Sequence, residues 1–459
     1  MRSKVWIGAA AVALGGLGVP GAQAQVRNES AKFVSNDPEM SRLFGWSVAI
    51  VNDIAVIGAP AETPDGAAYI FNTEGDLQLS KVTTLLNEND DNLAGSVAIG
   101  GSTAVVGLPD RENGAAYLFN VDAVSGTQII RLIDPTGARG DRFGHSVGIS
   151  GNTVIVGAPR DDDNGTDSGS AFLFNTDGGL IAKITPDNAV TGARFGWSVD
   201  ISGNTAIVGA RTAVNDDGSV TGLAYLFNAS EGNQIRTLEA NDASQNDRFG
   251  HSVGISGNTA VVGAEADDDN GMDSGSAYLF DVTDGRQMFK LTADDGAPVD
   301  VFGSAVAIDG DAVVVGAFGH DGNGSNSGAA YLFNAINGRQ VARLTALDNF
   351  NADFFGRSVA VSGDTAIIGA PQADVGDNNV SGAAYCFDAS LPDVTIIEGD
   401  YNGDGVVGMA DQDLVLLNFG ATTLPSGYVE AALPGGFFDG IIGFNELSGV
   451  LDNFGNTAP

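Results

Sequence analysis

One short pattern, aromatic-Gly-x-Ser-Val, constrains this chain more than anything else in it. It returns at intervals of roughly fifty residues, a period that marks an array of small repeated units. With small variations it stands at Phe44-Gly45, Phe143-Gly144, Phe195-Gly196, Phe249-Gly250, Phe302-Gly303 and Phe355-Gly356. A weaker copy is read at Ala94-Gly95, with Ala in place of the aromatic residue. Each copy is followed by a Gly-Ala-Pro-like element: Gly58-Ala59-Pro60, Gly107-Leu108-Pro109, Gly157-Ala158-Pro159, Gly209-Ala210, Gly263-Ala264, Gly316-Ala317 and Gly369-Ala370-Pro371. Ala-Tyr-Leu-Phe or a close variant comes next, as at Ala68 to Phe71 and Ala277 to Phe280. There are seven copies.

Within one copy the segments read as strands. In the third, Ser146 to Ile149 alternates small-polar and apolar residues, and Ser150-Gly151-Asn152 supplies turn chemistry. Thr153 to Val156 is a continuous apolar run, as expected of a strand buried on both faces. Ala171 to Phe174 and Leu180 to Ile184 make a third and a fourth strand. Four short strands per copy is the signature of a propeller blade. The 65 glycines, with no collagen-like triplet, suit such a turn-rich, close-packed array. Neither a Trp-Asp pair nor a kelch-type Gly-Gly doublet recurs from copy to copy, so WD-type and kelch-type blades do not fit. The expected fold is all-β, a seven-bladed β-propeller followed by a small α-helical loop-helix module.

The Phe-Gly and Gly-Ala-Pro elements resemble FG-GAP repeats, the family that forms the propeller of integrin α chains and many bacterial surface proteins. The resemblance covers about residues 31 to 390. It implies a scaffold role for the shared residues. The Phe would wedge between adjacent blades, and the glycines would permit close backbone approach near the axis. Ala31 to Val34 has no repeat partner of its own and is expected to complete blade 7, so that no sheet edge is left free.

In integrin-like repeats an Asp-x-Asp-x-Asp-Gly loop between the first two strands binds calcium. Here those places are short turns such as Ser150-Gly151-Asn152 and Ser362-Gly363-Asp364, so the family's metal sites are not carried over. Acidic density lies instead between the second and third strands. Asp161, Asp163 and Asp167 in blade 3 are matched by Asp267, Asp269 and Asp273 in blade 5. That spacing could present alternate oxygens to Ca2+, or it is an exposed polar turn. Arg139-Gly140-Asp141 falls in a connection between blades, where Gly and Asp suit a turn in any case.

After the linker at 391–397 the pattern changes. Asp400-Tyr401-Asn402-Gly403-Asp404-Gly405-Val406 through Asp411 follows the EF-hand register. Asp400, Asn402 and Asp404 supply carboxylate or amide oxygens, Val406 its carbonyl, and Asp411 closes the site around Ca2+. A second copy, around Asp439, Ile441 and Glu446, is weaker because Gly435 and Phe437 replace its first acidic ligands. This duplicated loop-helix unit, about residues 398 to 456, resembles a type I dockerin. The resemblance implies docking to a cohesin-like receptor or scaffold, with Met409, Ala410, Phe444 and Asn445 at the family's partner-selecting positions.

At the other end, residues 1–24 read as a Sec-type signal peptide. Arg2 and Lys4 precede an apolar stretch, and Ala22-Gln23-Ala24 gives a cleavage site before Gln25. A secreted or cell-surface location is therefore expected, with no membrane span. The lone Cys386 leaves no internal disulfide to form. With 58 acidic against 21 basic residues the net charge is -37, which disfavours nucleic acid and anionic lipid as partners. No catalytic constellation stands out: His145 and His251 share one repeat position and His320 lies in a Gly-rich loop. The reading is a binding or adhesion protein whose propeller takes a polysaccharide or protein ligand. A polysaccharide-degrading enzyme or its accessory subunit, and a structural surface component, are the alternatives.

Overall fold

A computed structural model describes residues 25–36, 43–62, 66–83, 92–110, 113–122, 127–348, 350–375 and 381–392. They form seven antiparallel blades and, among the described residues, no helix. Blade 3 is typical: Ser146–Ser150, Thr153–Ala158, Ser170–Asn175 and Leu180–Ile184 pair in chain order. Its second and third strands are apolar at almost every position and buried, because a neighbouring blade covers each face. The outer strand alternates and leaves Leu180 44% exposed. The innermost strands touch one another around the ring, and Ser358–Ser362 of blade 7 packs on Ser47–Val51 of blade 1 to close it.

The seam between blades explains the repeated motif. Phe143 sits between blades 2 and 3, buried with Val105, Leu118 and Leu132 on one side and Phe172 and Phe174 on the other. It meets the last two rings edge-on, at 5.2 and 6.0 Å. Phe195, Phe249, Phe302 and Phe355 repeat the arrangement. Such aromatic pairs contribute about 0.5–1.5 kcal/mol each beyond burial. The glycine after each Phe has φ near +90°, and a Cβ on Gly144 would lie 2.1 Å from the Ala115 carbonyl oxygen. The Ser two residues on supplies a cross-seam hydrogen bond. Ser146 Oγ donates to Gly196 O (2.9 Å), Ser198 to Gly250 (2.9 Å), Ser252 to Gly303 (2.7 Å), and Ser358 to Gly45 across the closure (2.9 Å).

This geometry corrects the register of the second copy. Leu93, not Ala94, bridges Gly66 as Phe143 bridges Gly114. Ala94 N donates to Gly107 O as Gly144 N donates to Gly157 O, and Ala94 has the positive φ of 69°. The copy is therefore Leu93-Ala94-Gly95-Ser96, one residue earlier than a match on Gly95 suggests. The seam is defined by backbone bonds and a large apolar wedge, and Leu can fill the wedge without being aromatic.

The N-terminal segment ties two blades together. Ala31–Phe33 runs antiparallel to Ala383–Asp388 as the fourth strand of blade 7. Phe33 is buried with its ring 5.1 Å from Phe71 of blade 1. Just before it, Gln25–Asn28 pairs parallel with Arg339–Thr345 as a fifth strand on blade 6. No repeat anticipates that strand. The C-terminal module, with Asp400, Asn402, Asp404, Val406, Asp411, Asp439, Ile441 and Glu446, lies outside the described residues.

Candidate ligand site at the propeller axis

In Phe-Gly-x-Ser the Phe and Ser are spent on the seam, and the x side chain is delivered to the axis. The seven x residues are Trp46, Gly95, His145, Trp197, His251, Ser304 and Arg357, and all seven line a cavity of about 610 Å3. The same inner strands that repeat almost identically therefore present a different group from each blade. The third residue of Gly-Ala-Pro varies in step: Pro60 and Pro109 line the cavity, while blades 4, 5 and 6 carry Arg211, Glu265 and Phe318.

The varied residues are organised around the two tryptophans. The Arg211 guanidinium lies 3.4 Å from the Trp197 ring centre. The His145 ring packs 4.4 Å from Trp197 and its Nδ1 is 3.1 Å from Trp197 O. Arg357 lies 4.5 Å from the Trp46 ring centre. His251 Nδ1 and Arg248 both approach Glu265 Oε1, at 3.0 and 2.9 Å. Arg142 pairs with Asp110 at 3.5 Å. Burial, aided by Arg142 and Arg211, pushes His145 down to about 4, and burial also lowers His251. His145 is thus uncharged at neutral pH. Burial alone would raise Glu265, but His251 and Arg248 outweigh it and hold the carboxyl at about 2. Burial and Arg194 bring Arg211 down to about 10, which leaves it charged at pH 7.

The acidic loops have a different organisation. Asp161 and Asp163 both meet Lys183 Nζ at 2.6 Å. In blade 5 Lys290 is held by Asp242 at 2.7 Å, Asp267 at 3.0 Å and Asp269. Asp167 and Asp273 do not join these groups in a hydrogen bond or ion pair. Each has φ of 51° and donates its backbone N–H to Asp162 or Asp268. The anchor cation comes from the outer strand, opposite the third-strand aromatic residue (Tyr69 with Lys81, Phe172 with Lys183, Tyr278 with Lys290), so the clusters are a device of the repeat. The Asp of Arg139-Gly140-Asp141 is 6% exposed and accepts from Ala138 N at 2.6 Å. Asp247, Asp300 and Asp353 cap the same turn in later blades. Asp141 is therefore a turn residue, turned away from solvent. His320 is likewise tied down, with Nδ1 3.0 Å from Asp300.

The model of the FG-GAP repeat matches residues 28–71, 127–174, 179–227, 233–280, 286–333 and 339–387, more than half of the chain. The chain belongs to the FG-GAP repeat family. Six of the seven copies match. The unmatched stretch contains blade 2, whose seam is built from Leu93 and Ala94 rather than Phe and Gly. No curated protein matches the chain. A crystal structure of the computationally designed Ika8 protein aligns over 79% of this chain and 99% of its own, at 13% identity and a TM-score of 0.47. That likeness is too loose to bear on ligand or activity.

This FG-GAP fold is one suited to binding, and the axial ring is the part of it that sequence reading alone passed over. The signal was present as the one position inside the motif that changes from copy to copy. His145 and His251 share a repeat position, and that position is the one that faces the axis.

Proposed function

We propose that this protein is a secreted or cell-surface binding protein. Its propeller holds an extracellular ligand, a polysaccharide or another protein, at the axial cavity. Its C-terminal module binds Ca2+ and docks to a cohesin-like partner or surface scaffold. The observation that carries the first part is the x-position ring. Seven near-identical strands bring two Trp, two His and an Arg to one mouth, where the scaffold itself requires none of them. Pockets with a few convergent polar groups in an otherwise apolar frame are where ligands bind.

Calcium at the acidic propeller loops would have to displace Lys183 and Lys290 from Asp161, Asp163, Asp267 and Asp269. The calcium reading therefore rests on the C-terminal loop, Asp400 to Asp411, where the spacing supports it. Three experiments test the proposal. Glycan-array and surface-protein screens with the full chain should give hits that Trp46→Ala and Trp197→Ala weaken. Hits that both variants retain would move the ligand site off the axis. A pull-down with the full chain should capture a surface partner in Ca2+ and lose it in chelator or with Asp404→Ala. Product release from a polysaccharide panel would replace the binding reading with the enzymatic one.

A further inference from the structure

We propose that the axial cavity binds the anionic group, a carboxylate or sulfate, of an acidic saccharide and rejects the neutral counterpart. This rests on the axial cavity being the ligand site. The chain has 58 acidic and 21 basic residues, so positive charge is scarce. Five arginines lie in the cavity wall or pack behind it, Arg142 and Arg357 as lining residues and Arg194 and Arg211 against Trp197. Two of the five are neutralised locally, Arg142 by Asp110 and Arg248 by Glu265. Three are not. Among the described residues Arg194, Arg211 and Arg357 form no ion pair with a carboxylate, Glu265 reaches Arg211 and Arg357 only as a longer-range charge, and Arg211 Nε is buried without a hydrogen bond. Holding unpaired guanidinium groups in a partly dry site costs free energy.

The fold does not demand that cost. At the place of Arg211 other blades have Pro60, Pro109 or Pro159, and at the place of Arg194 they have Leu43, Val301 or Phe354. Position x itself accepts Gly95 and Ser304 in place of Arg357. The three charges are thus additions to a scaffold that closes without them.

The tryptophans point the same way. Trp197 has Arg211 close to its ring and His145 packed against it, which leaves little of it free to stack on a neutral sugar. Its effect is to hold a guanidinium close against the ring and partly desolvated, a state that binds planar or tetrahedral oxyanions strongly. The cavity of about 610 Å3 matches a small ligand. With a net charge of -37 the chain repels an acidic protein presenting a broad face, but a single oligosaccharide end can enter.

The test is calorimetric titration of the full chain with three oligosaccharides of one length and backbone: neutral dextran, carboxymethyl-dextran and dextran sulfate. The two charged ligands should bind and the neutral one should not, and whichever binds more tightly identifies the anion. Arg211→Gln and Arg357→Gln should each weaken binding about tenfold or more. Arg286→Gln, on the exposed outer surface, should leave it unchanged, and thermal melts of each variant check that the propeller is intact. Neutral dextran binding equally well, with loss in Trp46→Ala, would overturn the anionic specificity and keep the axial site. Binding of any of the three unaffected by every axial variant, or no binding at all, would overturn both.

Discussion

Gly196→Ala and its mirror image Ala94→Gly test the account of the seam. Gly196 has φ of +85°, and a Cβ there would lie 2.3 Å from Ser170 O and 3.1 Å from Ala158 N. The left-handed conformation costs a non-glycine residue about 1–2 kcal/mol. Both atoms are backbone of blade 3, so relief requires the Gly196 segment of blade 4 to part slightly from it, an overpacking cost of about 1–3 kcal/mol. Lower unfolded-state entropy offsets about 0.4–1 kcal/mol of this. The net expected loss is about 1–4.5 kcal/mol. At Ala94, where φ is already 69° with a methyl group in place, the conformational terms reverse and Gly should be neutral or stabilising by up to about 1 kcal/mol. The assay is guanidinium denaturation of the full chain followed by tryptophan fluorescence and circular dichroism. A loss below about 0.5 kcal/mol at Gly196, or a clear loss at Ala94, would refute the reasoning, because the two positions would then not be the same seam position.

Three further outcomes follow from the structure. Phe33→Ala empties the wedge between the closing strand and blade 1, so it should cost about 3–5 kcal/mol and expose the N-terminal segment to limited proteolysis; unchanged melting and cleavage would show that the closing strand is dispensable. Blade 6 has Ala305 where blades 3, 4, 5 and 7 have the seam Ser, so Ala305→Ser should form the missing bond to Gly356 O and stabilise by up to about 1 kcal/mol in the same denaturation assay, whereas Ser198→Ala should lose a similar amount. Burial holds Asp247 and Asp353 up at about 6, above the ordinary aspartate value, so the folded state binds more protons than the unfolded one between about pH 4 and 6. Their penalty, at most about 3 kcal/mol each, is present above pH 6 and relieved on acidification, while the buried, uncharged His145 and His251 pull the other way below pH 6.5. Going from pH 7.5 to 5, the melting temperature of Asp353→Asn should therefore change less favourably than that of the unaltered chain. Below pH 4 stability should fall as Glu265, held at about 2, begins to lose a stabilising charge.

Much of the propeller was legible in the sequence because its determinants are local. The alternation in Ser146 to Ile149, the apolar run from Thr153 and the turn at Ser150-Gly151-Asn152 each depend on a few neighbouring residues, and repetition lets seven weak signals confirm one another. The second copy was misaligned by one residue because Gly95 is the eye-catching residue, while the seam is made by Leu93 and the backbone of Ala94. The acidic loops were legible as clusters but not as arrangements. Asp161 and Asp163 meet Lys183, which arrives from the outer strand 20 to 22 residues away.

By itself, then, the sequence determined the unit and its number. A blade's strand period and turn chemistry are written over short distances, and a seven-fold repeat of them leaves little choice of architecture. Tertiary structure decided what the chain can hold. Residues some fifty positions apart become neighbours only when the ring closes, so the stack of His145, Trp197 and Arg211, with charge left unpaired beside it, exists in no single repeat. The N-terminal strand on blade 6 is of the same kind, since Gln25–Asn28 pairs with residues more than 300 positions later and its own composition does not select that partner.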